Sequence, residues 1–201
     1  GVAGRNVEKI LKADGFQVTL CLLERADELN RDERAIGEVL LSMDADTDFL
    51  IAVGSGSVTD ITRYTAFCTG KPFVSVGTAP SMDGYTSVVA PLLFNGQKVN
   101  RPAGCPGIII CDIDVMRTAP ESMFVSGVGD VLGKYIAKAD WLLGNIINGE
   151  AYCPVCAELV TEAVDKCMAN IGEIKSRTPE GTRILIEALI LAGITILILG
   201  N

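Results

Sequence analysis

Apolar segments typical of buried strands alternate with helical segments in the first half of the chain, and this order limits the fold more than any other feature. Four segments are predicted strands: residues 16–24, 48–54, 72–77 and 107–114. Residues with helical spacing lie between them, as at 34–43 and 58–67. Unbroken apolar strands separated by helices indicate an α/β fold with a parallel sheet covered on both faces.

The pattern changes after about residue 115, where no further strand is predicted. Residues 123–147, 156–174 and 182–199 have helical spacing instead. We therefore expect an α/β half at residues 1–114 and an all-α half at residues 115–201. The cleft between two such halves is a common place for ligands. Within the first half, Asn95-Gly96 predicts a hairpin turn.

The hydrophobic content and the net charge of the chain exclude some classes of function. The chain is 49% hydrophobic with a net charge of −8, and its mean hydropathy is +0.37. A sizeable core is expected, and an acidic chain without a basic run is not a candidate for nucleic-acid binding. Glu187 and Thr195 interrupt the apolar residues 184–199, so we expect a buried helix there rather than a membrane span. The start of the chain has no signal-peptide pattern.

Seven scattered cysteines give an odd count, and several lie inside apolar stretches. Free thiols in a reducing cytoplasm fit this pattern better than a disulfide framework does. Cys153 and Cys156 form a CxxC motif, but the sequence has no second pair at metal spacing and no thioredoxin-like context around it. The pattern favours free thiols at a helix start, with a metal or redox role as the lesser alternative.

The run Gly54-Ser55-Gly56-Ser57 follows a predicted strand and opens a predicted helix. Glycine lets a backbone approach a phosphate closely, and the first turn of a helix favours an anion through its N–H groups and dipole. Asp60 is expected in the same turn, either compensating the dipole or orienting a cofactor group. The run is neither a P-loop nor a GxGxxG fingerprint, so a plain strand–helix turn is an equal interpretation.

A second polar loop, residues 77–87, follows the next apolar strand. Thr78, Ser81 and Ser87 offer hydroxyls and Asp83 a carboxylate. These groups would lie at the carboxyl edge of the same sheet, which is the usual ligand side. Two polar loops at adjacent strand ends favour a binding function over a purely structural one.

A third candidate lies in the helical half, where Asp130 stands between glycines in GVGDVLGKY. Lys134 follows one turn later, and the two could form only an i,i+4 ion pair worth a few tenths of a kcal/mol. The functional interpretation is a carboxylate metal ligand that points into the cleft.

The run AVGSGSVTDITRYTAF together with GKPFVSVGTAPSMDGYTSVVAPL and DIDVMRTAPESMFVSGVGDVLGKYIAKADW resembles the glycerol-1-phosphate dehydrogenase family over essentially the whole chain. The resemblance is greatest to its bacterial AraM-like branch, within a superfamily that includes glycerol dehydrogenases, iron-containing alcohol dehydrogenases and 3-dehydroquinate synthases. It implies a dehydroquinate synthase-like fold, with a Rossmann-like nucleotide-binding domain at 1–114 and a helical metal and substrate domain at 115–201. The implied reaction is the NAD(P)-dependent interconversion of dihydroxyacetone phosphate and sn-glycerol 1-phosphate.

The resemblance also implies the site residues. The pyrophosphate loop of the family matches Gly54, Ser55, Gly56, Ser57 and Val58, with Asp60 closing the motif, and its nicotinamide-side loop matches Thr78, Ala79, Pro80 and Ser81, with Ser87 further on. Asp83 matches the substrate-contacting aspartate and Asp130 the metal-binding aspartate, so these two are the predicted catalytic and substrate-binding residues. A zinc or nickel ion would polarise the C2 oxygen of the substrate, and NAD or NADP would carry the hydride.

The chain contains no histidine, whereas the family's metal site consists of one aspartate and two histidines. The resemblance places those histidines beyond residue 201 and a further strand before residue 1. We therefore expect a chain truncated at both ends, with weak metal binding and little activity, because one carboxylate is too few ligands for zinc. The missing strand's loop would carry the residue that distinguishes NAD from NADP.

Two alternatives have different consequences. A polyol or glycerol dehydrogenase of the same superfamily would share the loops but lack a phosphate pocket. A non-catalytic nicotinamide-dinucleotide-binding module would bind the cofactor without turnover. In all three cases we expect a cytoplasmic protein without nucleic-acid or membrane partners, and the resemblance implies a possible homo-oligomer.

Overall fold

The computed structural model describes residues 2–25 and 28–199, and their contacts divide the chain into two compact units. The first unit comprises the chain through Thr78 together with Val88–Ile110. The second comprises Ala79–Ser87 together with the chain from Cys111 onward. Most of the second polar loop is therefore packed among the helices rather than with the sheet from which it emerges.

A small sheet forms the centre of the first unit. Its strand β1 (Leu50–Gly54) pairs in parallel with β2 (Phe73–Gly77), and the register places Gly54 opposite Gly77. The strand β5 (Ile108–Cys111) lies on the other side of β2. The predicted parallel sheet is thus confirmed.

The described residues of this unit form the helices α1 (Val2–Ala13), α2 (Glu33–Ser42) and α3 (Gly56–Thr69). The N–H of Ala35 donates to the side chain of Asp32 at 2.9 Å, which caps the start of α2 and explains why that helix begins there. The helix α3 packs against both β1 and β2, which fixes its N-terminus at the end of the sheet.

The predicted hairpin around Asn95-Gly96 is confirmed. It consists of β3 (Val89–Phe94) and β4 (Gln97–Pro102), which pair in antiparallel fashion. Asn95 and Gly96 have φ angles of 49° and 74°, as a tight two-residue hairpin turn requires. The hairpin completes a buried cluster with α2 and α3 that contains Ala35, Ile36, Val39, Ile61, Ala90 and Leu92.

The strand predicted at residues 16–24 is wrong, because this segment has no strand hydrogen bonding in the structure. Its side chains do alternate: Cys21 and Leu23 pack against the buried cluster, whereas Leu20 and Leu22 are exposed. A strand needs a neighbour to share its N–H and C=O groups. Among the described residues, the sheet with the order β1-β2-β5 does not include this segment.

The second unit is helical, as predicted. It contains a 3₁₀ turn (Gly84–Thr86) and the helices α4 (Ile113–Met116), α5 (Glu121–Asn148), α6 (Pro154–Ala169), α7 (Ile171–Lys175) and α8 (Pro179–Leu199). The single helix predicted at 156–174 is two helices, since Asn170 ends α6 and precedes α7.

The helix α8 is the central element of this unit and packs against α5, α6, α7 and the 3₁₀ turn. Its buried side chains include Ile184, Leu185, Ile186, Ala188, Leu189, Ala192 and Thr195. Within the described part of the chain it is the one helix long and apolar enough to cross a membrane, and more than half of Pro179–Ile198 is buried. Its contacts are those of the predicted core helix.

Candidate functional site

The turn from β1 into α3 is tight and leaves the start of the helix open. A Cβ atom on Gly54 would lie 2.7 Å from side-chain carbons of Val58, so this position has a packing reason to be glycine. Ser55 is the N-cap residue of α3, but its side chain makes no capping hydrogen bond. The first-turn N–H groups of α3 therefore have no side-chain acceptor from the cap residue, which is the arrangement that accepts an anion.

The beginnings of the two polar loops lie side by side in the first unit. The N–H of Thr78 donates to the C=O of Gly54 at 3.0 Å, which extends the β1–β2 pairing by one residue beyond Gly77. Ser57 and Thr78 are both half-buried. The sequence predicted adjacent strand ends, and the structure places them together.

Asp60 is not in the first turn of α3, which contains no acidic residue, so the dipole-compensating interpretation is wrong. It is 2% exposed, and its carboxylate accepts hydrogen bonds from Arg63 at 2.6 Å and from Arg31 at 2.9 Å. Burial raises the pKa of Asp60, whereas both guanidinium groups act to lower it. Arg63 also donates to the C=O of Val89 at 3.4 Å. Asp60 therefore joins α3 to its neighbours through arginines.

The two predicted catalytic carboxylates meet in the second unit. The N–H of Asp83 donates to Asp130 Oδ2 at 2.7 Å, and Lys134 Nζ donates to Asp130 Oδ1 at 3.3 Å and to Asp83. Burial lowers the pKa of Lys134, but the two carboxylates outweigh it and raise the pKa overall. The sequence indicated the Lys134–Asp130 pair and missed the bond from Lys134 to Asp83, because those residues are distant along the chain.

Two glycines of the helices let the second loop approach closely. A Cβ atom on Gly127 of α5 would lie 2.0 Å from the carbonyl oxygen of Pro80, and one on Gly193 of α8 would lie 2.0 Å from Thr86 Oγ1. Sequence reasoning predicted neither contact. The available signal was a glycine inside an apolar helical pattern, which often marks a close contact.

Hydrogen bonds within the loop fix its shape. The buried Tyr85 hydroxyl donates to the C=O of Ala79 at 2.7 Å, and the N–H of Ser81 donates to the same carbonyl oxygen at 3.0 Å. The N–H of Ser87 donates to the C=O of Gly84 at 3.3 Å. Burial raises the pKa of Tyr85, so this residue stays a neutral hydrogen-bond donor.

The residues present do not fit a complete metal centre. Across residues 2–25 and 28–199, no three His, Cys, Asp or Glu side chains are placed to hold one ion. Asp130, the predicted ligand, already has both oxygens engaged by Lys134 and by the Asp83 amide. Because a zinc site needs at least three protein ligands, we assign no reaction step of this chain to a metal.

Comparison with known proteins finds related sequences over the whole chain. Residues 1–120 match the family model for iron-containing alcohol dehydrogenases. The chain is 37% identical over 202 residues to the glycerol-1-phosphate dehydrogenase [NAD(P)+] of Halalkalibacterium halodurans. It is 38% identical over 202 residues to the protein of the same name from Bacillus subtilis. Each alignment covers 100% of this chain and 51% of the relative, so the chain spans about half the length of these curated relatives.

Solved structures show the same fold. The glycerol dehydrogenase of Schizosaccharomyces pombe matches 95% of this chain and 50% of its own, with a TM-score of 0.77 and 20% sequence identity. A likeness at that identity concerns the architecture alone.

Proposed function

Because the chain belongs to the iron-containing alcohol dehydrogenase family, we propose that its protein is an NAD(P)-dependent glycerol-1-phosphate dehydrogenase. The reaction interconverts sn-glycerol 1-phosphate and dihydroxyacetone phosphate. The observation that carries this proposal is the uncapped N-terminus of α3 at the carboxyl end of β1, next to the end of β2. The names of the relatives that match the whole chain support the substrate.

The first unit supplies the proposed pyrophosphate site. The N–H groups of Gly56, Ser57 and Val58 are the proposed donors, and the helix dipole adds to the attraction. Gly54 and Ser55 shape the turn that presents them. When the cofactor is bound, its nicotinamide ring supplies the hydride chemistry, and we propose Thr78, Ala79, Pro80, Ser81 and Ser87 for the nicotinamide side.

Asp60 is proposed as a positioning residue for this site. Its carboxylate is buried between Arg63 and Arg31, one turn beyond the proposed pyrophosphate donors. Holding α3 through these ion pairs would keep its first turn at the end of β1.

The second unit supplies the proposed substrate contacts. Asp83 and Asp130 are half-buried carboxylates that can accept hydrogen bonds from substrate hydroxyl groups. Lys134 offsets their mutual repulsion and keeps the two side chains together. Zinc or nickel remains a prediction from the family resemblance, because the described side chains do not form its site.

Replacement of Ser57 tests the cofactor site. Ser57→Glu places a carboxylate in the first turn of α3, where it favours the helix but repels a pyrophosphate. We expect affinity for reduced NAD(P) to fall roughly tenfold or more, an effect of about 1.4 kcal/mol, without loss of thermal stability. The neutral control Ser57→Gln should retain most of the affinity. If fluorescence titration gave both variants equal affinity, the start of α3 would not be the pyrophosphate site.

Substrate assays distinguish the alternatives. Oxidation of sn-glycerol 1-phosphate but not glycerol supports the proposal, and the reverse supports a polyol dehydrogenase. Cofactor binding without turnover of either, in the protein at its full gene length, supports a non-catalytic binding module.

We also propose a cytoplasmic location, since all seven cysteines are free.

A further inference from the structure

Cys153 and Cys156 lie at the start of α6 and take no part in the proposed dehydrogenase site. Cys153 is the N-cap residue with an extended backbone (φ −108°, ψ 105°), and Pro154 is the first helical residue. Cys156 follows one turn later, where it is 3% exposed. The N-cap residue and the third helical residue are neighbours at a helix start, and side-chain hydrogen bonding between the two cysteines contributes to the pKa shift of each.

The two thiols have different environments. Cys153 is half-buried, and its sulfur accepts hydrogen bonds from the N–H of Cys156, from the Cys156 thiol and from the N–H of Val155, which lowers its pKa. Burial and the neighbouring Cys153 raise the pKa of Cys156. An accessible, acidic thiol beside a buried one is the arrangement of an attacking and a resolving cysteine.

The other cysteines lack this arrangement. Burial raises the pKa of Cys111 and of Cys167 to about 11, which keeps both thiols protonated near neutral pH. Cys68 is exposed, but it lies in the last turn of α3 rather than at an N-cap. It serves as an exposed reference thiol outside any CxxC motif.

Trp141 of α5, the only tryptophan of the chain, contacts the loop before Cys153. The indole N–H of Trp141 donates to the C=O of Ala151 at 2.7 Å, and its ring lies 4.4 Å from that of Tyr152. Since Tyr152 directly precedes Cys153, a change at Cys153 should alter the surroundings of Trp141.

We propose that Cys153 and Cys156 are a redox-active dithiol that closes reversibly to a disulfide. The Cys153 thiolate attacks one sulfur of a low-molecular-weight disulfide, RSSR, and forms a mixed disulfide while one RS⁻ leaves. The Cys156 thiolate then attacks Cys153 Sγ, forms the Cys153–Cys156 bond and releases the second RS⁻. The two cysteines lose two electrons and two protons, and RSSR is reduced to two RSH.

Peptide mass spectrometry tests this on the purified protein in glutathione buffers of increasing oxidised fraction. Trypsin releases residues 139–166 as one peptide that contains both cysteines and no other. We expect this peptide to lose two hydrogen atoms in a single step, while the peptide with Cys68 forms only mixed adducts. Before oxidation, Cys153 should alkylate roughly tenfold faster than Cys68 at neutral pH.

Variants separate the two roles. Cys156→Ser should accumulate the glutathione adduct at Cys153, and Cys153→Ser should leave the peptide unoxidised. Oxidation should change Trp141 fluorescence in the wild type but not in Cys153→Ser. The proposal is overturned if residues 139–166 form no internal disulfide, or if Cys153 in Cys156→Ser reacts no faster than Cys68.

Discussion

The backbone N–H of Asp83 donates a 2.7 Å hydrogen bond to the carboxylate of Asp130. Two acidic residues 47 positions apart in the chain are thereby held next to each other, and Lys134 supplies the positive charge between them. Removing that charge would leave two neighbouring carboxylates that repel.

Lys134→Met should therefore destabilise the protein by about 2 kcal/mol, because it leaves both half-buried carboxylates without their cation. Lys134→Arg, which keeps the charge, should lose less than half of that. Urea unfolding of the three proteins measures the difference. If Lys134→Met were as stable as the wild type, Asp83 and Asp130 would not need the lysine charge between them.

The close approach of α5 to the second loop predicts opposite effects at two neighbouring glycines. Gly127→Ala should cost about 1–3 kcal/mol, because the new methyl group would meet the backbone oxygen of Pro80. Gly129→Ala, two residues on with open space around it, should instead gain about 0.5–1 kcal/mol from helix propensity. Thermal unfolding compares them, and the same sign at both sites would contradict the contact.

Replacing Asp60 should lower the stability of the protein even when no cofactor is bound. Asp60→Asn breaks a buried ion pair with Arg63 and should destabilise the cofactor-free protein by about 3 kcal/mol. The exposed control Asp46→Asn should stay within about 0.5 kcal/mol of the wild type. If Asp60→Asn kept its stability but lost cofactor affinity, the carboxylate would be a direct contact rather than a positioning residue.

The ion pairs of Glu187 predict a weak dependence of stability on pH. Burial raises the pKa of Glu187, but Lys166 and Arg183 outweigh it and lower the pKa below the ordinary 4.5. A lowered carboxylate pKa stabilises the fold above the unfolded-state value, and this contribution disappears as the pH falls through the folded-state value. Glu187→Gln should thus be about 0.5 kcal/mol less stable than the wild type at neutral pH and equal to it in acid. If the stability difference between Glu187→Gln and the wild type persisted in acid, or did not change with salt concentration, it would not come from these ion pairs.

The 201-residue chain should bind zinc weakly and show little turnover. The reason is the donor set: Asp130 is tied to Lys134, and no third ligand accompanies it within the described ranges. Metal content after dialysis and initial rates with zinc and nickel measure this. Stoichiometric zinc with measurable turnover would contradict the prediction.

Local chemistry made much of the fold predictable. The unbroken apolar runs gave β1 and β2, Asn95-Gly96 gave the hairpin, and the apolar spacing of α5 and α8 gave the helical half. Each of these depends on neighbouring residues, through side-chain periodicity or turn conformation. The segment at residues 16–24 failed because a strand also needs a partner, which its own side chains do not report.

The sequence by itself determined the strand–turn–helix at Gly54, since glycine spacing, the preceding strand and the following helix are all local. It also indicated Asp83 and Asp130 as candidate site residues and Cys153 as part of a CxxC motif. Only the tertiary structure decided what these groups face: Asp60 meets two arginines, Lys134 meets Asp83, and Gly127 meets Pro80. Such contacts join residues far apart in the chain, and their energies come from burial and charge, which exist only once the elements have packed.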